Sequence, residues 1–267
     1  MRTVIMGSGN VASLMSRKLH LAGHNIIQVF GRSEIAVKTL ALETGAAAIS
    51  KSSELDTTAE LYVIAVSDQA IESIAGWLRV PGKLVMHTAG SVSISVLAPC
   101  SQNHGVIYPL QSITKETTTV TEIPVLVNGS NDETKSELFA IAAGISANVQ
   151  FADDEQRSKL HLAAVIMNNF PNYLYTLTAE FCQNEQLDFK MLIPLLIETS
   201  ARLKSFSPRD VQTGPAIRKD LQTINAHEKK LKNYDDLLEL YSTFSRKIMN
   251  YPYLFFFFFL PTFMSVS

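Results

Sequence analysis

The pattern of the sequence changes near residue 152, and this change constrains the fold more than any other feature. Up to about residue 150, short apolar runs alternate with stretches of helical periodicity. Such alternation is typical of βαβ units around a parallel sheet. The predicted strands are residues 3–6, 25–30, 61–66, 83–87, 106–107 and 124–128. Beyond residue 153 only helical periods follow, to about residue 249. We therefore predict an α/β domain over residues 1–152 and an all-α domain over residues 153–250.

A glycine-rich turn follows the first predicted strand and opens a predicted helix. Residues 7–12, Gly-Ser-Gly-Asn-Val-Ala, have the G-x-G-x-x-A form of the dinucleotide-binding fingerprint. The first glycine permits a tight turn, and the second lets a pyrophosphate approach the backbone. A tight turn without a ligand is the alternative, but the position in a βαβ series favours a Rossmann domain with a doubly wound parallel sheet. The predicted contacts with the cofactor are Gly7, Ser8, Gly9, Asn10 and Val11.

The second predicted strand ends before Arg32 and Ser33. At this distance from the glycines an NAD-binding chain carries an acidic residue for the ribose hydroxyls. A guanidinium and a hydroxyl suit a 2′-phosphate instead, so the sequence favours NADP over NAD. The alternative is that Arg32 is a solvated surface side chain.

Small polar residues follow two other predicted strands. Val66 and Ser67 come after one strand, and Thr88 and Ala89 come after another. Ligands of open parallel sheets bind beyond the carboxyl ends of the strands, so we expect these four residues to contact the nicotinamide half of the cofactor. Ser67 or Thr88 could equally be the N-cap of a helix.

The first predicted helix of the second domain carries a polar stripe on an apolar background. Asp153 and Gln156 have capping-box spacing at its start. Further along, the polar residues of the stripe share one face. A stripe of this kind must find polar partners or a ligand, although a buried histidine with packed asparagines is the alternative. The stripe consists of His161, Asn168, Asn172 and Tyr175.

Two further helices are predicted in this domain. One is expected to begin with Thr213 or Gly214 as its cap and Pro215 at its first position, and to continue to about residue 231. It would carry Arg218 and Asp220, which are either site residues or exposed surface residues. The other, residues 189–203, is strongly apolar with a proline inside it, which suggests burial against a second subunit.

Charge and composition exclude several classes of function. The 23 Lys and Arg residues nearly balance the 25 Asp and Glu residues, which argues against a partner nucleic acid held by bulk electrostatics. Cys100 and Cys182 form no metal-binding spacing, and no metal site is predicted. The first residues lack the pattern of a secretory signal, so we expect a cytoplasmic protein.

The last 17 residues, 251–267, differ from the rest of the chain. They hold no charge and contain six of the 14 Phe residues. Their apolar run is too short to span a bilayer, which takes about 20 residues, so no membrane interaction is predicted. Two explanations stay open for this apolar tail: it packs against the helical domain or a partner subunit, or it reflects a shifted reading frame at the end of the gene.

Several motifs together resemble one known family. It is the Rossmann-like NADP oxidoreductase family whose helical C-terminal domain is described only as a domain of unknown function. More distantly the chain is similar to pyrroline-5-carboxylate reductases, deazaflavin-dependent NADP reductases and the 6-phosphogluconate dehydrogenase group. The motifs are residues 7–12, 87–90, 108–112, 159–165, 168–170 and 212–216, with Arg218 and Asp220.

The resemblance implies an NADP-dependent oxidoreductase that forms a homodimer through a helical domain of the 6-phosphogluconate dehydrogenase C-terminal type. The predicted substrate is a small imine or carbonyl compound, with or without an anionic group. His161 is the predicted acid or base and Arg218 holds the anionic group. The residues expected to bound the substrate pocket are His161, Asn168, Thr213, Arg218 and Asp220.

The chain departs from its relatives at two places. Tyr108 stands where the family usually has histidine, and the lysine of the hydroxyacid dehydrogenases is missing, because Ala164 and Val165 occupy the corresponding positions. A hydroxyacid dehydrogenase mechanism therefore does not carry over. These departures also leave an alternative function open, a non-catalytic NADP-binding sensor or scaffold dimer.

Overall fold

The computed structural model describes residues 1–114 and 122–252. The chain divides into two compact units, Met1–Asn169 and Phe170–Ser267. Most of the predicted apolar tail, residues 253–267, lies outside the described residues.

The first unit contains a sheet of eight described strands. Its order is β3-β2-β1-β4-β5-β6-β7-β8, and all neighbouring strands are parallel except β6 and β7. The first six strands therefore have the Rossmann order, which confirms the predicted doubly wound sheet. The strands are β1 Arg2–Met6, β2 Asn25–Phe30, β3 Ala47–Ile49, β4 Leu61–Ile64, β5 Leu84–His87, β6 His104–Pro109, β7 Val125–Gly129 and β8 Val149–Phe151.

Helices cover both faces of this sheet. They are α1 Asn10–Leu21, α2 Glu34–Thr44, α3 Asp68–Trp77 and α4 Asp132–Ala143. After β8 come α5 Asp154–Ala164 and a π-helical turn, Val165–Asn169. Alternate residues of β1 serve the two faces: Ile5 packs with α1 and α2, whereas Val4 and Met6 pack with α3. Burial on both sides explains why the central strands are apolar without alternation.

Helix α5 begins as predicted. Asp153 is its N-cap and accepts a hydrogen bond from the backbone N–H of Gln156, whose side chain accepts from the N–H of Asp153. The first compact unit nevertheless extends to residue 169, beyond the predicted boundary at 152. The reason is that Arg157 of α5 donates to Val92 in the loop after β5, and His161 of α5 contacts Tyr108 in β6. The change from α/β to all-α structure predicted near residue 152 therefore lies inside the first compact unit, which continues to Asn169.

The described part of the second unit is helical. Its helices are α6 Phe170–Asn184, α7 Ile193–Arg202, α8 Leu221–Lys230 and α9 Asp235–Asn250, with a 3₁₀ turn at Phe189–Leu192 before α7. Few of its apolar side chains are buried. Met191, Leu195 and Ile197 remain 77%, 64% and 61% exposed.

Two helix boundaries in the second unit differ from the prediction. The helix predicted to start at Pro215 begins at Leu221, because Lys219 has a positive φ of 56° and Asp220 is the N-cap. The apolar helix predicted over residues 189–203 contains Pro194, which lies in the first turn of α7. A backbone N–H in the first turn has no partner within the helix, so proline removes no helical hydrogen bond there.

Candidate cofactor site and catalytic dyad

The glycine turn after β1 lies at the centre of the sheet, where the connections change direction. Strands β1 and β4 are neighbours, and the helices that follow them, α1 and α3, cover opposite faces. This arrangement opens a crevice beyond the carboxyl ends of the two strands, the usual ligand site of such sheets. The residues predicted to bind a cofactor thus lie at the expected edge.

Gly7 is required by the fold itself. Its φ is 130°, and a Cβ atom at this position would lie 2.0 Å from the carbonyl oxygen of Ala65. Its N–H donates to the carbonyl of Phe30 at 2.8 Å. No other residue fits this turn.

Gly9 is not required by the fold. It is exposed, its φ of −82° suits any residue, and an added Cβ would meet no protein atom within 4 Å. It is the N-cap of α1, so the open space at this backbone faces the free N–H groups of a helix start. An anionic group such as a phosphate fits this space.

Arg32 and Ser33 follow β2 on the same edge of the sheet. Both are exposed, and within the described ranges Arg32 forms no ion pair. Ser33 is the N-cap of α2, but its hydroxyl makes no capping hydrogen bond. A guanidinium and a hydroxyl are therefore both available to an anion.

The ends of β4 and β5 supply the other predicted contacts. Ser67 occupies the N-cap position of α3 without a side-chain capping bond, so its exposed hydroxyl is also available. Val66 is half-buried beside it, whereas Thr88 and Ala89 are buried. Thr88 does not cap a helix, because the next helical turn starts at Ile94.

His161 forms a hydrogen-bonded dyad with Tyr108. Its Nδ1 atom lies 2.8 Å from the Tyr108 Oη atom, and the rings meet edge-on at 74°. Both side chains are half-buried. Gly90 makes this position possible, since a Cβ there would lie 2.8 Å from His161 Cγ and 2.9 Å from Tyr108 Cζ.

A buried arginine lies one helical turn before His161. Arg157 is fully buried, and its Nη2 atom donates to the Val92 carbonyl and to Asp154 at 2.8 Å from Oδ1. The Asp154 carboxylate also accepts from the Ser93 hydroxyl, which joins helix α5 to the loop after β5. Burial alone would raise the pKa of Asp154, but hydrogen bonds from Ser93 and Arg157, together with the Arg157 charge, lower it.

His87, at the end of β5, is held neutral. It is fully buried, and burial together with the Arg157 charge lowers its pKa to about 4. Its Nδ1 accepts from the Ala89 N–H at 3.1 Å. His87 therefore fixes the loop that carries Ala89 and does not supply a proton at neutral pH.

Asp68 brings a carboxylate to the same strand ends. It accepts a hydrogen bond from the Ser91 hydroxyl, and its charge, with burial as the larger cause, raises the pKa of Tyr108. The Arg157 charge offsets part of this increase. Tyr108 thus stays protonated at neutral pH.

Two asparagines hold the segment that follows β6. The Asn10 side chain donates to the Ile113 carbonyl at 3.0 Å, and the Asn168 side chain donates to the Ser112 hydroxyl at 2.6 Å. The glycine turn and the π-helical turn are thereby attached to neighbouring residues of one loop. Asn168 therefore has a partner within its own unit.

The other predicted pocket residues belong to the second unit. Thr213 and Arg218 are exposed in the turns before α8. The Asp220 carboxylate accepts from the Thr223 N–H at 3.0 Å and from its hydroxyl at 2.7 Å, and these bonds lower its pKa. A helix cap accounts for these contacts, and the substrate roles of all three residues stay predictions.

The polar residues around the dyad were only partly predictable. Tyr108 was recognisable as a departure from the family pattern, but its partner was not. Arg157 is four residues before His161, so the spacing places both on one face of α5. Nothing in the sequence indicates that Asp68 approaches the end of β6.

In the described ranges, no helix is both long and apolar enough to cross a membrane. Among the same residues, no group of three or more histidine, cysteine, aspartate or glutamate side chains is arranged to hold a metal ion.

Two parts of the chain match models of known protein families. Residues 2–99 match the family described as "NADP oxidoreductase coenzyme F420-dependent", and residues 123–248 match a domain of unknown function, DUF2520. A search of curated proteins found no match.

Solved structures resemble nearly the whole chain. The crystal structure described as "putative NADP oxidoreductase BF3122 from Bacteroides fragilis" is 34% identical, covers 94% of this chain and 98% of its own, and has a TM-score of 0.85. A 1-pyrroline-5-carboxylate reductase from Streptococcus pyogenes is 14% identical, with coverage of 94% and 99% and a TM-score of 0.65. A reductive aminase from Aspergillus terreus, in complex with NADPH and ethyl-5-oxohexanoate, is 15% identical, with coverage of 92% and 93% and a TM-score of 0.69. The last two similarities concern the fold alone.

Proposed function

Because the chain belongs to the oxidoreductase family that joins an F420-dependent-type NADP oxidoreductase domain to DUF2520, we propose that it transfers a hydride between NADP(H) and a small imine or carbonyl compound. The cofactor would supply the hydride when bound. The residues of this chain would bind the cofactor, orient the substrate and provide the proton.

The observation that carries this proposal is the contrast between Gly7 and Gly9. The fold needs glycine at position 7 but not at position 9. The space beside Gly9 adjoins the start of α1, where a pyrophosphate would accept hydrogen bonds from backbone N–H groups. A cofactor is therefore the reason for glycine at position 9.

Arg32 and Ser33 support the preference for NADP. An exposed guanidinium without an ion pair in the described part of the chain is suited to a 2′-phosphate, which accepts two parallel hydrogen bonds from it. An acidic residue, which would repel that phosphate, is absent from positions 32 and 33.

His161 is the proton donor of the proposed reaction. Its Nδ1 atom is engaged with Tyr108, so its Nε2 atom is the one left for a substrate. A donor placed here would polarise a carbon–nitrogen or carbon–oxygen double bond as the hydride arrives. The names of two structural neighbours, a pyrroline-carboxylate reductase and a reductive aminase, favour the carbon–nitrogen bond.

The Gly9→Ala variant tests the cofactor site. We expect Gly9→Ala to keep the stability of the wild type, because the Cβ meets no protein atom, but to weaken NADPH binding at least tenfold by occupying space beside the pyrophosphate. Calorimetric titration measures the affinity, and thermal unfolding measures the stability. Gly76→Ala, where an added Cβ also meets nothing within 4 Å, is the matched control. Unchanged NADPH affinity of Gly9→Ala would contradict the proposed site.

A substrate panel tests the reaction. The wild type and His161→Ala are mixed with NADPH and with cyclic imines, oxo acids plus amines, aldehydes and oxidised coenzyme F420, and NADPH consumption is followed. We expect turnover of an imine by the wild type and a loss of about a hundredfold in His161→Ala. Tight NADPH binding without any turnover would instead support the sensor or scaffold.

A further inference from the structure

We propose that Tyr108 is a positioning residue that holds His161 with its proton on Nε2 and that passes its own proton to Nδ1 when the Nε2 proton leaves. This inference rests on the proposed function, since it assigns a role at the same site. It concerns a tyrosine that the family pattern does not contain.

The hydrogen bond between the two side chains determines which nitrogen of His161 carries the proton. Tyr108 Oη and His161 Nδ1 are 2.8 Å apart, and Oη makes no other hydrogen bond to the described residues. A phenol has one proton to donate, and since Nδ1 is the acceptor within reach among the described residues, we assign Tyr108 as the donor and Nδ1 as the acceptor. A neutral imidazole that accepts at Nδ1 carries its own proton on Nε2. The dyad thereby presents a donor where the substrate would lie.

Gly90 fixes the position of both rings. A Cβ atom at this residue would lie within 3 Å of the Cγ and Nδ1 atoms of His161 and of the Cζ atom of Tyr108. The rings therefore pack directly against the backbone at the end of β5. This packing limits the freedom of the dyad and preserves its hydrogen bond.

The charges that face Tyr108 keep its phenol protonated before the transfer. Burial and the Asp68 carboxylate on α3 raise the pKa of Tyr108, so the phenol is protonated over the whole neutral range. Arg157 on α5 is the opposing charge, and its side chain is fully buried. Its positive charge stabilises the phenolate that forms briefly during transfer.

The protons of the dyad are balanced over one reaction cycle. As the substrate takes a hydride at carbon, its nitrogen or oxygen takes the proton from His161 Nε2, and Nδ1 takes the proton from Tyr108. Without the second transfer the imidazole would become an anion, which is unfavourable in a half-buried site. The dyad returns to its first state when Nε2 takes a proton from water and Nδ1 returns its proton to the phenolate. One hydride and one proton from solvent are consumed.

Nitrogen NMR of the histidine side chains tests the proposal without a substrate. In the wild type we expect His161 with its proton on Nε2, and in Tyr108→Phe we expect a mixture of the two tautomers. Tyr62→Phe, which removes another hydrogen-bonded phenol of the same unit, is the control and should leave His161 unchanged. A proton on Nδ1 in the wild type, or the same spectrum in Tyr108→Phe, would overturn the proposal.

Kinetics separate this proposal from the proposed function. With an active substrate, Tyr108→Phe should lower kcat about tenfold to a hundredfold with little change in KM, and Tyr108→His should restore part of the rate. Equal kcat values for the wild type and Tyr108→Phe would refute the relay even if the enzyme is active. If no substrate is found, the NMR result still decides whether Tyr108 sets the tautomer.

Discussion

Gly7 and Gly9 are two residues apart, but the structure requires only one of them. Steric contact with the Ala65 carbonyl and a positive φ dictate Gly7, whereas an added Cβ at position 9 meets no described protein atom within 4 Å, so Gly9 is explained only by the proposed cofactor. The sequence pattern identifies both positions but does not distinguish these causes. The same limit applies to His161: its polar stripe is visible in the sequence, while its partner Tyr108, 53 residues earlier, is brought to it only by the fold.

The buried His87 predicts a loss of stability in acid. An unfolded histidine takes a proton near pH 6.5, whereas folded His87 does so only near pH 4, so the unfolded state binds more protons between these values. Stability should therefore fall as the pH falls through this window, by about 2 kcal/mol between pH 7 and pH 5 from this residue alone. Urea unfolding of the wild type and His87→Asn at both pH values measures it.

The variant should lose most of this pH dependence, because the amide does not titrate. His20→Asn changes an exposed histidine of α1 and serves as the control. An equal change of stability with pH in the wild type and in His87→Asn would show that His87 is not the group responsible.

At the scale of elements, prediction succeeds where local signals agree with burial. The central strands are apolar and covered on both faces, and α5 has a complete capping box, so both are evident from the sequence. Strands β3 and β8 were not predicted, because each has only three residues and lies at an edge of the sheet. The start of α8 was predicted six residues too early, since Pro215 resembles a first helical residue although the chain turns again at Lys219.

The cap of α5 leads to a prediction about the helix that carries Arg157 and His161. Asp153→Ala removes the acceptor for the Gln156 N–H and should lower the free energy of unfolding by about 1 kcal/mol. Asp153→Ser keeps an acceptor and should retain most of the stability. Urea unfolding compares both with Ser158→Ala, a change at an exposed position of the same helix. Equal stability of Asp153→Ala and Ser158→Ala would rule out a stabilising cap.

At the scale of the whole molecule, the two units differ in how much apolar surface they bury. The first unit has a core on each face of its sheet, and the sequence predicts that core from its apolar strands. The described part of the second unit leaves large apolar side chains of α7 exposed, in the helix whose apolar sequence suggested burial against a second subunit. A partner subunit is the expected reason, since exposed apolar area of this kind marks an interaction surface.

We therefore expect a homodimer that forms through the helical unit. Leu195→Asp places a charge on the exposed apolar part of α7 and should shift the molar mass in solution from twice that of the chain to that of one chain. Light scattering after size exclusion measures the mass. Ser200→Asp, at an exposed polar position of the same helix, is the control. A monomeric wild type would refute the expected assembly.

We propose that the first unit binds NADP and distinguishes it from NAD through Arg32. The most direct measurement is a calorimetric titration with NADPH and with NADH. It compares the wild type with Arg32→Ala and with the control Lys38→Ala. Lys38 is a nearby exposed cation that is paired with Glu34. We predict that the wild type binds NADPH at least tenfold more tightly than NADH, that Arg32→Ala loses this difference while keeping its NADH affinity, and that Lys38→Ala behaves as the wild type. Equal affinities of the wild type for the two cofactors, or an unchanged preference in Arg32→Ala, would contradict the claim.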